Sequence, residues 1–118
     1  MGNEKALEEG PLERLFTGPA MAKILDFLIL FRNYDYSKTD IAKNSGVNFR
    51  TVLRLLPILE EKQIVKKTRL VGQAKMYQIN IESPLARALH KLNQEIAFYD
   101  AEKIAKQELR KEQQTIPA

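Results

Sequence analysis

Two short amphipathic helices joined by a tight turn stand in the middle of the chain, and this segment constrains the fold more than any other. Ser37, followed three residues later by an acidic residue, is typical of a helix N-terminus. Gly46 is typical of a helix end, because glycine adopts the left-handed backbone conformation at little cost. Asn48 is a strong N-cap for a second helix. The pattern predicts helices over residues 38–45 and 49–62.

The spacing of small and apolar residues predicts how these two helices cross. Ala42 in the first helix and the turn glycine four positions later allow a close approach. Val52 and Leu55 of the second helix are placed to pack back against the first. This Ala-x3-Gly-x5-Val-x2-Leu spacing is typical of a helix-turn-helix, with an ordinary helical hairpin as the alternative.

The residues after the second helix predict a β-hairpin. Residues 64–71 are basic and rich in β-branched side chains, and residues 74–81 contain alternating apolar and polar side chains. Gly72 and Gln73 lie between the two runs, where a hairpin turn is expected. A hairpin directly after a helix-turn-helix is a wing, so the sequence predicts a winged helix-turn-helix.

The C-terminal part carries an apolar stripe at coiled-coil spacing. Ser83 and Pro84 are typical of the first positions of a helix, and the apolar residues that follow form an a/d seam of about two heptads. The seam is longer than the winged domain needs, so we predict a second copy of the helix as its cover. Folding back onto a central helix at 19–32 is the alternative. The predicted dimer interface comprises Leu85, Leu89, Leu92, Ile96 and Tyr99.

We therefore predict a mainly α fold with a small β-hairpin wing, organised in four parts. These parts are an N-terminal arm with a short helix within residues 4–17 (1–18), the winged helix-turn-helix domain (19–82), a C-terminal dimerisation helix (83–113) and a flexible tail (114–118).

Positive charge is concentrated in the middle third of the chain. Residues 41–81 contain eight basic and two acidic residues, a net charge of +6. Residues 1–40 have a net charge of −2, and residues 82–118 have none. A local basic patch indicates a polyanionic partner, and chance clustering on a solvated face is the alternative.

The predicted DNA contacts follow from the phase of the second helix. Arg50 and Arg54 lie opposite its buried stripe, and the first residues of a helix that enters the major groove meet base edges. Phe49 is expected to pack at the turn, with contact to a thymine methyl as the alternative. The predicted DNA-contacting residues are Ser37, Lys38 and Thr39 at a helix N-terminus, Asn48, Arg50, Thr51 and Arg54 in the second helix, and Arg69, Gln73 and Lys75 in the wing.

The composition argues against several classes of site. The chain has no Cys and one His, which excludes disulfides, thiolate metal sites and thiol catalysis. His90 is expected to pack at the surface or at the dimer edge. No cluster of nucleophile, base and orienting group appears, so we expect no catalytic residue, no metal and no cofactor. The longest apolar run is far too short to span a membrane, and we expect a cytoplasmic protein without a membrane partner.

Several segments together carry a family resemblance. They are PLERLF at 11–16, AKILDFL at 22–28, DYSKTDIA at 35–42, LPILEE at 56–61, IVKKTR at 64–69 and MYQIN at 76–80. On these residues, the stretch 11–94 resembles archaeal winged-helix transcriptional regulators of the broad ArsR/MarR-like group. The resemblance implies a DNA-binding domain, usually dimeric, that acts in transcription. Gln63 stands where such families commonly place a glycine.

The leading hypothesis is a dimeric, sequence-specific double-stranded DNA-binding protein that regulates transcription. Helix 49–62 would enter the major groove, and wing 64–81 would lie on the backbone or in the minor groove. The alternatives are an architectural or segregation protein that coats DNA and a protein-interaction winged helix. An unknown effector or protein partner is left open.

Overall fold

The computed structural model describes residues 9–115, which form five helices and a two-stranded antiparallel sheet. The elements in chain order are α1 (Pro11–Leu15), α2 (Pro19–Leu30), α3 (Lys38–Ser45), α4 (Phe49–Glu61), β1 (Val65–Val71), β2 (Ala74–Ile79) and α5 (Pro84–Thr115). This is the mainly α fold with a hairpin wing that the sequence predicts. The part of the predicted N-terminal arm over residues 1–8 lies outside the described residues.

Helix α2 is central to the hydrophobic core. Its Met21, Ile24 and Leu28 side chains are buried, and they belong to one cluster with Leu55 of α4 and Tyr77 of β2. Apolar residues on most sides of a helix predict such a position, because each side then faces a neighbour. The helices and the base of the wing therefore share a single core.

The turn between α3 and α4 has the geometry that the sequence predicts. The Ser37 hydroxyl accepts a hydrogen bond from the Asp40 amide at 3.1 Å and caps α3. Gly46 ends α3 with a φ of 71°, in the left-handed region that favours glycine. Asn48 Oδ1 accepts from the Arg50 amide at 2.8 Å and caps α4. The helix-turn-helix is confirmed.

The wing is formed by β1 and β2, which meet at a two-residue turn where Gly72 has a φ of 63°. The second strand ends at Ile79, two residues before the predicted end. The Asn80 amide instead donates to the Ile64 carbonyl at 2.8 Å, and Ile81 is exposed. The alternating pattern of residues 74–81 therefore predicts a strand two residues longer than the one observed.

The wing contains a bulge in β1, and an isolated β-bridge connects β2 to the rest of the domain. Thr68 and Arg69 of β1 lie together opposite Met76, where the register of the hairpin shifts. Tyr36, in the connection between α2 and α3, forms a bridge with Tyr77 of β2. The wing thus gains a one-residue third strand.

Helix α4 ends in a left-handed residue that is not glycine. Gln63 has a φ of 63°, and its amide donates to the Glu60 carbonyl at 3.0 Å. The Asn80 side-chain amide donates to the Gln63 carbonyl at 3.0 Å. These hydrogen bonds stabilise the left-handed conformation, which is unfavourable for any residue that has a Cβ atom.

The C-terminal helix is longer than the predicted 83–113. It begins after an N-cap in which Ser83 Oγ accepts from the Ala86 amide at 3.3 Å, and it continues through Thr115. Residues 114 and 115, predicted as tail, are helical; residues 116–118 lie outside the described residues. The glutamines at 113 and 114 are good helix formers, which explains the extension.

Candidate nucleic-acid interface

Residues from three elements line one cleft. The N-terminus of α3, the first residue of α4 and the turn of the wing meet there, although 34 positions separate Thr39 from Gln73. The residues that line the cleft are Ser37, Lys38, Thr39, Phe49, Gln73, Ala74 and Lys75. Five of these seven are predicted DNA contacts, so the fold brings the α3 group and the wing group together.

The N-terminus of α3 combines backbone amides with a positioned cation. Lys38 Nζ lies 5.8 Å from the centroid of the Tyr77 ring, a cation–π contact. Tyr77 is buried, so the aromatic face that holds Lys38 is fixed by the core. Free amides at a helix N-terminus and a nearby ammonium both favour an anion.

Helix α4 presents two arginines to solvent. Val52 and Leu55 are buried while Arg50 and Arg54 are exposed, as the helix phase predicts. Neither arginine takes part in an ion pair within residues 9–115. Thr51, between them, is half-buried. Two guanidinium groups without an acidic partner are therefore available to an anionic ligand.

Phe49 does not pack into the turn as the sequence predicts. Its side chain is 44% exposed and lines the cleft beside the wing. Val47 is the buried apolar residue of this turn. An aromatic ring therefore lies on the candidate interface.

Arg69 lies against an acidic residue that the sequence did not single out. Its Nε donates to Asp35 Oδ2 at 2.9 Å and its Nη2 to Oδ1 at 3.1 Å, while the Thr68 hydroxyl also donates to Oδ2. The Arg69 and Thr68 hydrogen bonds hold the pKa of the Asp35 carboxyl well below its usual value, at about 2. Asp35 and Arg69 are 34 positions apart, so no local pattern could have predicted the pair.

The remaining wing cations differ in their surroundings. Lys75 is exposed in β2 and forms no ion pair in the described part of the chain. Lys67 Nζ lies 3.6 Å from Glu60 Oε2, which directs it towards α4. Lys66 is exposed. Lys75 is thus the wing cation best placed beside the α3 N-terminus.

The predicted seam of α5 is largely exposed in the single chain. Leu85, Leu92, Ile96 and Tyr99 are between 41% and 68% exposed. Leu89 is half-buried against the core, and it lines a groove together with residues of α2.

A groove between α2 and α5 continues the seam. Leu92 and Ile96 form one wall, and Leu25 and Ile29 form the other. The helices are joined across it by a hydrogen bond of 3.0 Å from Asn93 Nδ2 to Asp26 Oδ1. Leu30 of α2, which is 69% exposed, also lines the groove, so apolar surface of α2 adjoins the predicted seam.

Residues 9–115 contain neither a membrane-spanning helix nor a cluster of metal ligands. No helix there is long and apolar enough to cross a membrane. No group of three or more His, Asp or Glu residues in that range could hold a metal ion. His90 is half-buried and lines a small cleft with Arg32 and Arg87.

Comparison with protein-family models and with curated proteins finds no match. Solved structures do match. A homodimeric winged helix-turn-helix DNA-binding domain from Mycobacterium bovis, a possible ArsR-family transcriptional regulator, is 24% identical with a TM-score of 0.57; the match covers 76% of this chain and 78% of that one. MepR of Staphylococcus aureus, a transcription regulator of a multidrug efflux pump, is 18% identical with a TM-score of 0.59, over 98% and 92% of the chains.

Lactococcus lactis ZitR in complex with DNA is 14% identical with a TM-score of 0.52, over 72% of this chain and 60% of that one. This chain thus spans less than two thirds of the length of ZitR in that comparison. All three identities lie below 25%, so the likeness is one of fold. By its architecture and its structural neighbours, this chain is a winged helix-turn-helix domain with a long C-terminal helix.

Proposed function

We propose that this protein is a dimeric, sequence-specific double-stranded DNA-binding protein that regulates transcription. The observation that carries the proposal is a set of exposed or half-buried cations from three elements, without acidic partners in residues 9–115. They are Lys38 of α3, Arg50 and Arg54 of α4 and Lys75 of the wing. A surface of this kind has the electrostatic character that phosphate binding requires.

In this proposal α4 enters the major groove and supplies the base contacts. Arg50 and Arg54 can each donate two hydrogen bonds to guanine. Thr51 lies between them at the edge of the same face. Asn48 uses its Oδ1 to cap α4, so its Nδ2 is the group that donates to a base or phosphate oxygen. These four side chains account for sequence specificity.

The other contacts fix the register of the protein on the duplex. Ser37, Lys38 and Thr39 bind a phosphate at the α3 N-terminus. Gln73 and Lys75 lie on the backbone or in the minor groove beside it, as their shared cleft supports. The Phe49 ring at the same cleft is placed for apolar contact with a thymine methyl.

The proposed dimer forms through α5. Burying the exposed part of each seam side chain would contribute a part of the roughly 1.5–3 kcal/mol that full burial of such a side chain provides. The homodimeric domain among the structural neighbours supports a homodimer, without identifying the helix that forms the interface. A twofold dimer would present two α4 helices to two half-sites of a palindromic operator.

The resemblance to archaeal ArsR/MarR-like regulators supports a cytoplasmic regulator rather than an enzyme. No catalytic residue, metal or cofactor enters the proposal, and an unknown effector or protein partner remains open. The competing functions are a DNA-coating protein and a protein-interaction module. They differ from a regulator in the ratio of specific to non-specific affinity.

Selection of bound duplexes from a random pool by the full-length protein tests the proposal. A palindromic enriched site is expected, and an Arg50→Ala/Arg54→Ala variant should enrich nothing at the same protein concentration. Retention of DNA without enrichment would point to a coating protein. Failure to retain DNA at low salt would point to a protein-interaction module.

A further inference from the structure

We propose that Arg69 is a positioning residue, which holds the wing to the α2–α3 connection through Asp35, and that it is not itself a DNA contact. This replaces the sequence-based expectation for Arg69. The inference rests on the proposed DNA-binding function and deepens it, since it names what fixes the location of Gln73 and Lys75.

The contact geometry favours a structural role. Arg69 meets Asp35 with two parallel hydrogen bonds, of 2.9 and 3.1 Å, and Thr68 supplies a third donor. A planar guanidinium fork matches a carboxylate in this arrangement. The Asp35 side chain is only 14% exposed. If Arg69 turned to a phosphate, this carboxylate would lose two of its three side-chain donors.

The position of the contact in the fold favours the same role. Thr68 and Arg69 form the bulge of β1, and bulges set the direction in which a strand continues. Tyr36, the residue after Asp35, exchanges two backbone hydrogen bonds of 2.8 Å with Tyr77 of β2. Asp35 therefore binds β1 through Arg69, and the next residue, Tyr36, binds β2 through Tyr77.

The hairpin beyond this contact receives little support from the core. Leu70 and Val71 are exposed, and Gln73 and Lys75 are exposed at and after the turn. The direction of the tip is therefore set where Asp35 and Tyr36 hold the two strands. Loss of either contact would displace Lys75 from the α3 N-terminus, with which it shares a cleft.

The proposal is tested by whether one charge-neutralising substitution tightens or weakens DNA binding. Asp35→Asn removes a negative charge from the proposed DNA-binding surface. If Arg69 contacts DNA, this change frees it and tightens binding. If Arg69 positions the wing, Asp35→Asn weakens binding of the full-length protein to its selected duplex by about two- to fivefold, the effect of losing one surface ion pair.

Asp40→Asn is the matched control. Asp40 is an exposed acidic residue in the first turn of α3, and no side-chain hydrogen bond or ion pair to another described residue is found for its carboxylate. The control removes the same charge from the same segment without touching the wing. We expect unchanged or tighter DNA binding for Asp40→Asn. Asp35→Asn binding as tightly as the wild type, or more tightly, would overturn the proposal.

Amide hydrogen exchange without DNA separates this proposal from the proposed function. Asp35→Asn and Arg69→Ala should both speed exchange over residues 70–75, whereas Lys75→Ala should leave the strand pairing intact. If the protein binds no DNA but amide exchange is faster in these two variants, the proposed function fails and the positioning role of Arg69 is supported. Unchanged exchange rates in both variants would refute the positioning role of Arg69, whether or not the protein binds DNA.

Discussion

The backbone amides of Tyr36 and Tyr77 each donate a hydrogen bond of 2.8 Å to the carbonyl of the other residue. This pair fastens the wing to the chain just before α3. The Tyr77 ring also belongs to the buried core and lies beneath Lys38. One residue thus links the core, the wing and the candidate phosphate site.

Replacing Tyr77 should therefore destabilise the whole domain. Tyr77→Ala should lower the free energy of unfolding by about 3 kcal/mol or more, the cost of truncating a large buried aromatic side chain. Tyr34→Ala is the control, because Tyr34 is 68% exposed. Denaturant unfolding followed by circular dichroism measures both, and equal effects would contradict the packing described for Tyr77.

The exposed arginines of α4 should matter for binding and not for folding. Arg50→Ala and Arg54→Ala should each weaken binding to the selected duplex by about 1–3 kcal/mol, the range for a good base contact. Their unfolding free energies should stay within about 0.5 kcal/mol of the wild type. Lys111→Ala, near the far end of α5, serves as the control for lost charge. An equal loss of affinity in Lys111→Ala would argue against contacts specific to α4.

The left-handed end of α4 offers a stability test. Gln63→Gly should stabilise the protein by up to about 1 kcal/mol, because glycine removes the left-handed penalty but loses more entropy on folding. Gln63→Val should destabilise it, since a β-branched side chain fits this conformation poorly. Thermal unfolding of the two variants gives the comparison. A Gln63→Gly protein less stable than Gln63→Val would show that the backbone there is not left-handed.

The seam should determine the oligomeric state. Ile96→Glu places a charge in the middle of the proposed dimer interface and should convert the dimer to a monomer at tens of micromolar protein. Deleting the entire helix is a poorer test, because Ala86 is buried and Leu89 packs on the core. Sedimentation of the wild type and of Ile96→Glu measures the change. A wild type that sediments as a monomer would contradict the interface.

Local patterns were enough to predict the helix-turn-helix and the hairpin. Caps and turn residues such as Ser37, Gly46 and Asn48 act within a few positions, so their consequences can be read along the chain. The exposed phase of Arg50 and Arg54 follows from the same periodicity.

Features that depend on distant residues could not be predicted in this way. The Asp35–Arg69 pair and the bulge that places it arise only when the wing folds against the α2–α3 connection. The aromatic ring of Phe49 favours packing at the turn, yet Val47 is the buried apolar residue there and Phe49 is 44% exposed. The half-burial of Leu89 depends likewise on the angle at which α5 leaves the domain.

Titration of the full-length protein against the selected duplex and a scrambled duplex, at low and moderate salt, tests the central claim most directly. We expect affinity for the selected duplex about a thousandfold or more above the scrambled one. We also expect both affinities to fall steeply as salt rises, because bound Lys and Arg release counterions from the phosphates. Equal affinity for the two duplexes would contradict sequence-specific binding, and affinities unchanged by salt would contradict binding to the phosphates.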